Sequence, residues 1–104
     1  METIKIAVKE PNKPWEVRLV SNELKAFQKI VGGYIELFWR DVDGLLYFCN
    51  EEGKLMNLTP NFYCHLDLIV GTVFAVRDDD DGNFASIDIL DESRLIELGD
   101  DVEF

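Results

Sequence analysis

"KAFQKIVGGYIELF", residues 25–38, changes its period halfway along. Leu24, Phe27, Ile30 and Val31 recur at helical spacing with Lys25, Gln28 and Lys29 between them, whereas beyond the two glycines apolar residues follow the alternation of a strand. The first half predicts a short amphipathic helix lying on a sheet and the second a strand, with Ile35, Leu37 and Trp39 on one face and Tyr34, Glu36 and Phe38 on the other. Gly32-Gly33 joins them. Phosphate-cradling glycines lead from a strand into a helix N-terminus, where free N–H groups point outward. Here they follow the helix, at the end that presents carbonyls, so they read as a joint: one glycine closes the helix and the next swings the chain into the strand.

Upstream, "TIKIAVKE" and "WEVRLV" alternate apolar and polar residues on either side of Pro11-Asn12-Lys13-Pro14. They predict a hairpin with Ile4, Ile6, Val8 and Trp15, Val17, Leu19 facing inward and the prolines in its turn. Ser21 offers a side-chain cap for the helix that follows.

Downstream, "DVDG" supplies a tight turn into "LLYFCN", a further strand. From Asn50 to Asp67 neither period lasts, and the segment reads as packed but irregular, with room for one helical turn. "LIVGTVFAV", residues 68–76, reads as one strand buried on both faces, with Gly71 marking a bulge or a close backbone approach. "DDDDGN" turns the chain, "FASIDI" returns as a strand, and Asp91 caps a last helix carrying Leu95, Ile96 and Leu98 and stopped by Gly99. The order is strand, strand, helix, strand, strand, irregular segment, strand, strand, helix. That is an α+β fold: a mainly antiparallel sheet of about five or six strands with the helices on one side, forming a single domain over residues 1–104.

The charge is uneven. Of 21 acids in the chain, eleven lie in residues 77–104, beside only Arg77 and Arg94, so this quarter holds −9 of the net −11. Phosphate backbones are bound by Lys and Arg, so direct nucleic-acid binding is disfavoured and a protein with a basic surface is the expected partner. Asp78, Asp79, Asp80, Asp81, Asp100 and Asp101 are the candidate contact residues. With no export signal and no apolar run approaching the roughly 18 residues of a membrane span, a cytoplasmic location is expected. Cys49 and Cys64 then read as reduced, buried thiols.

No catalytic signature stands out. Aligning "RDDDDGNFASID" with a calcium loop so that Gly82 takes the sixth position puts Arg77 where the first carboxylate belongs, so the register fails. Cys64, His65 and Asp67 have the residue types of a nucleophile and base, but neighbours on an extended chain point apart. Cys49, Cys64 and His65 are one ligand short of a closed zinc site. Neither enzyme activity nor a metal or other cofactor is expected. The alternative to a protein-binding module is a domain that binds a small molecule or nucleotide through the 50–67 segment, with Asn50, Lys54, Asn57, Asn61, Phe62 and Tyr63 as pocket residues and Phe62-Tyr63 exposed.

"FQKIVGGYIELF", "CNEEGKLMNLTPN" and "DLIVGTVFAVRDDDDGNFASI" together resemble a family of small domains of unknown function from phages, plasmids and conjugative elements, largely of Gram-positive bacteria. The resemblance runs from about Ile4 to Leu98. Members carry an arginine after the Pro-Asn step, where Phe62 stands here. No activity comes with the family. The resemblance implies an accessory protein of a mobile element that binds a host protein, with a nucleic-acid mimic or host-factor inhibitor as one form of that role.

Overall fold

The computed structural model describes residues 2–95. Its main sheet has the strand order β2-β1-β7-β4-β3, with the short β8 paired to β7. These strands are β1 (Thr3–Lys9), β2 (Glu16–Ser21), β3 (Ile35–Arg40), β4 (Leu45–Asn50), β7 (Val73–Asp78) and β8 (Phe84–Ala85). Each pairing in it is antiparallel. The α+β architecture and mainly antiparallel sheet expected from the sequence are therefore present. β5 (Pro60–Cys64) and β6 (Asp67–Val70) form a separate hairpin.

Alternation along the central strands builds two cores. Ile4, Ile6, Val8, Leu46, Phe48, Phe74 and Val76 face one way and receive Phe27 and Val31 of α1 (Leu24–Val31). Phe27 stacks on Phe74 with ring centroids 5.1 Å apart. Burying a side chain of this size stabilises the fold by roughly 1.5–3 kcal/mol. The other face, with Ala7, Leu45, Tyr47 and Ala75, is covered by Ile87 and Leu95 and, beyond them, by Phe62, Cys64 and Ile69 of the β5–β6 hairpin. The two helices are therefore on opposite sides of the sheet rather than together. α2 (Ile89–Arg94) lies with the hairpin.

Several local expectations are corrected. The 68–76 stretch is two strands in two sheets, broken at Gly71-Thr72, where Gly71 takes a φ of +78°. Five residues of the segment read as irregular, Pro60–Cys64, are strand β5, while residues 51–57 are a run of turns. Ser21 stays in the β-ladder opposite Thr3, and α1 begins after Glu23 without a side-chain cap. Phe84–Ala85 alone pairs with β7, so "FASIDI" is strand only at its start. Asp91 is not the cap of α2 but its third residue. Asp88 caps the helix by accepting the Asp91 N–H at 2.9 Å, and Asp91 accepts the Asp88 N–H at 2.9 Å, a reciprocal capping box. Ile96, Leu98 and Gly99 lie outside the described residues.

Two face assignments also change. A bulge at Phe38 shifts the β3 register from Leu37↔Phe48 to Trp39↔Tyr47, so Phe38 and Trp39 both pack on the hairpin side. In β2, Val20 rather than Val17 or Leu19 packs on the α1 core, because Val20 pairs with Ile4. Val17 and Leu19 are exposed.

Candidate functional site

β4 ends at Asn50, a side chain that serves two elements at once. Its Nδ2 donates to the Val31 carbonyl at 3.1 Å, closing the end of α1, and its Oδ1 accepts the Glu52 N–H at 2.7 Å, opening the turns that follow. The helix stops there because Gly32 is left-handed, with φ +80°, and its N–H returns to the Gln28 carbonyl at 2.8 Å. Gly33 lies so close to Asn50 that a Cβ added to it would stand 2.9 Å from Nδ2. The glycine pair is the helix-to-strand joint that its position after the helix implies.

Clefts open on both sides of Asn50. One, of about 130 Å³, is lined by Glu36, Glu51, Glu52, Lys54 and Asp67 around a floor that includes Cys49. The other is an open hollow of about 280 Å³ between Gln28, Gly33, Tyr34, Glu52 and Met56. The first has an anionic wall. Lys54 is its single cationic residue, and the Lys54 Nζ donates to Asp67 Oδ1 at 2.6 Å. That hydrogen bond holds the Lys54 amine above its usual range. Burial, reinforced by the charges of Glu36 and Asp67, pushes the Cys49 thiol up to about 12, so it is not a thiolate at neutral pH.

The pocket residues expected from the sequence separate into three groups. Asn50 lines both clefts and Lys54 lines the first. Asn57 is exposed and left-handed, with φ 54°, at the end of the turns, and Tyr63 is exposed on β5. Asn61 and Phe62 are buried and structural, which corrects their reading as pocket contacts and Phe62 as exposed. The Asn61 Oδ1 accepts from Lys9 Nζ at 2.8 Å, and its Nδ2 donates to the carbonyls of Lys9 and Gly71, each at 2.9 Å. Phe62 packs near Trp15 and Phe38, with Lys9 Nζ 5.8 Å from its ring centroid. Glu36, Glu51 and Glu52 are not singled out from the sequence as site residues, and Asp67 is weighed there only beside Cys64 and His65, not as part of this cleft. The four come from three separated stretches, and no local pattern marks them.

The acidic turn is organised by its own carboxylates. Asp78 pairs with Arg40 at 3.1 Å and accepts the Asp80 N–H at 2.9 Å. Asp79 accepts the N–H groups of Asp81 and Asn83, which hold its carboxyl below the usual range. Asp80 and Asp81 are exposed and make no ion pair among the described residues. Asp100 and Asp101 lie outside those residues. Cys64 is buried, while His65 lies against Trp39 with ring centroids 4.1 Å apart, so thiol and imidazole occupy different environments. Both cysteines are free thiols, and no group of three or more His, Cys, Asp or Glu that could hold a metal occurs among the described residues. No helix among them is long and apolar enough to cross a membrane.

One family profile, that of a domain of unknown function (DUF3846), matches residues 4–98. The chain belongs to the DUF3846 family. No curated protein and no solved structure matches it. Within the DUF3846 span, the three motifs that carried the resemblance converge in space. Gly33 packs on Asn50, a Cβ at Gly53 would stand 2.9 Å from Val70 Cγ2, and one at Gly71 would stand 2.8 Å from Leu58 Cδ1. Stretches about 20 residues apart in sequence form one joint around the turns at 51–57, so these motifs read first as packing requirements.

Proposed function

We propose that this DUF3846 protein is a non-enzymatic accessory protein of a mobile genetic element, acting in the cytoplasm by binding a protein with a basic surface. The acidic turn at Asp78–Asp81 is the contact region, and mimicry of a nucleic acid, to occupy a DNA-binding or RNA-binding protein, is the sharpest form of the role.

The supporting observation is where the cations of this region go. Arg77 binds Asp91 and donates to the Asp43 carbonyl at 2.7 Å, and Arg94 lies 3.4 Å from both Asp91 and Asp43. Both arginines of the C-terminal quarter are thus engaged within the fold, while Asp80 and Asp81 project from it. An uncompensated patch of this kind speeds encounter with a basic partner and weakens as salt screens it, over a Debye length of about 10 Å at 0.1 M.

The test is capture on immobilised protein from a bacterial lysate at about 0.1 and 0.5 M salt, compared with an Asp80→Asn/Asp81→Asn variant. Asp78 and Asp79 are spared because they build the turn. Basic proteins retained at low salt, and lost both at high salt and on the variant, support the reading. Retention indifferent to salt and to the variant overturns it.

A second reading rests on the 130 Å³ cleft beside Asn50. It is smaller than the roughly 300–1,000 Å³ of drug-sized sites. Its carboxylates disfavour nucleotides and suit a small cationic molecule. A thermal-shift screen of amines and nucleotides separates the readings, since a ligand at 100 times its Kd stabilises by about 2.7 kcal/mol.

A further inference from the structure

Among the described residues β2 is an edge strand of the main sheet, paired only with β1, and one of its faces carries exposed apolar side chains. Leu19 is 72% exposed and Val17 42%. The backbone of the edge has a defined polarity. The Ile87 N–H donates to the Lys5 carbonyl and the Lys5 N–H donates to Ser86 Oγ at 2.9 Å, so Lys5 turns its peptide groups away from β2. On the other side, the Asn22 N–H donates to the Glu2 carbonyl at 2.8 Å. With the register Ile4↔Val20 and Ile6↔Arg18, the even-numbered residues of β2 bond to β1, and the N–H and C=O of Val17 and Leu19 face outward.

We propose that a second copy of this chain occupies this edge, pairing β2 antiparallel with β2 across a two-fold axis at Val17. Unpaired strand edges are templates for strand addition, and a two-fold interface must be self-complementary. Glu16-Val17-Arg18 meets that condition. Centred on Val17, the pairing puts Glu16 of each copy opposite Arg18 of the other, Val17 against Val17, and the outward peptide groups of Val17 and Leu19 in hydrogen-bonding positions.

Neighbouring registers are worse. Centring on Arg18 sets two guanidinium groups face to face, and opposed like charges destabilise a strand pair. Centring on Leu19 brings Val17 opposite Ser21, whose carbonyl already accepts the Glu23 N–H at 2.9 Å. In the single chain Arg18 bonds Glu16 at 2.8 Å and Glu10 at 3.3 Å, so the exchange replaces one acidic partner by another. The net charge of −11 opposes the union of two copies. Salt therefore strengthens this contact, the reverse of its effect on a basic partner.

Sedimentation of the full chain over a concentration series, at about 0.1 and 0.5 M salt, tests the proposal. The expected result is a shift from 12.0 kDa to twice that mass, reached at lower concentration in high salt. Val17→Lys, which puts like charges on the axis, abolishes it without lowering Tm. Glu16→Arg and Arg18→Glu each weaken it at least tenfold, and the two combined restore it, because the pairs are re-formed with their signs exchanged. A monomer at all concentrations and salts overturns the proposal, as does a dimer unaffected by Val17→Lys or a double variant no better than the singles.

Discussion

Arg77 grips Asp91 with two guanidinium nitrogens: Nε donates to Oδ2 at 3.0 Å and Nη2 to Oδ1. The Asp91 residue is fully buried and also accepts the Asp88 N–H, so one carboxylate anchors α2 to β7 and builds the helix cap. Burial by itself would raise this carboxyl. The hydrogen bonds from Arg77 and the Asp88 N–H, with the charges of Arg77 and Arg94, outweigh it and hold the group below its ordinary value.

Removing one partner leaves the other uncompensated, so Asp91→Ala should destabilise by about 3–5 kcal/mol, whereas an apolar pair at both positions should recover much of the loss. The pH dependence follows from the depressed carboxyl. The contribution of Asp91 is complete above the unfolded-state value near 3.9 and is lost as pH falls through the lower folded value. Denaturant melts between pH 7 and 3 should therefore show acid sensitivity that Asp91→Asn reduces.

The glycine joint predicts a different pair of costs. A Cβ at Gly32 meets nothing within 4 Å, but the left-handed backbone remains, so Gly32→Ala should lose about 1–2 kcal/mol from conformation alone. Gly33→Val should lose more, because its side chain displaces the Asn50 amide that closes α1. At roughly 4–8 °C per kcal/mol for a chain of this size, thermal melts resolve the two. A Gly33→Val protein as stable as the parent contradicts the joint.

The order of elements was legible because its cues are local: alternation in "TIKIAVKE" and "LLYFCN", helical spacing before Gly32, and turn residues at Asp43-Gly44. What escaped depends on partners distant in sequence. Gly71 looks like an interruption within an apolar run, and only its packing on Leu58 and the bond from its N–H to the Thr59 carbonyl at 2.7 Å show that the strand ends there. A bulge at Phe38 leaves no mark in the alternation, so the face of Trp39 was misread. Asn61 looked like a pocket amide because its Lys9 partner lies 52 residues away. Asn50 was singled out, and it does line both clefts, but the neighbouring carboxylates gather only through the fold.

Asn61 supplies the next prediction. Asn61→Leu keeps comparable bulk but removes the oxygen that accepts from Lys9 Nζ and the amide that satisfies two buried carbonyls. Hydrogen bonds to charged groups are worth about 1.5–3 kcal/mol and a buried unsatisfied acceptor costs about 1–3, so a loss of at least about 3 kcal/mol is expected by denaturant titration. Asn61→Asp, which keeps an acceptor for the ammonium but loses both donated bonds, should fall between. A ligand-contact role would instead leave stability nearly unchanged.

The thiols give a prediction that bears on chemistry rather than packing. Burial raises both, Cys49 to about 12 with added repulsion from Glu36 and Asp67, and Cys64 by burial and then Asp67. A thiol must ionise to attack, so neither should react with a disulfide reagent at pH 8 in the folded protein at a rate beyond that of opening of the structure. Labelling should accelerate with denaturant in step with unfolding, for both positions together. A Cys64→Ser variant isolates Cys49, whose place in the floor of the 130 Å³ cleft gives the experiment a second use. A cationic molecule that fills the cleft should slow the labelling of Cys49 by as much as it stabilises the whole fold, and slowing beyond that amount would mean that Cys49 is also reached through the cleft in the folded protein. Fast labelling in the native state would instead mean that the cleft opens independently of the sheet beneath it.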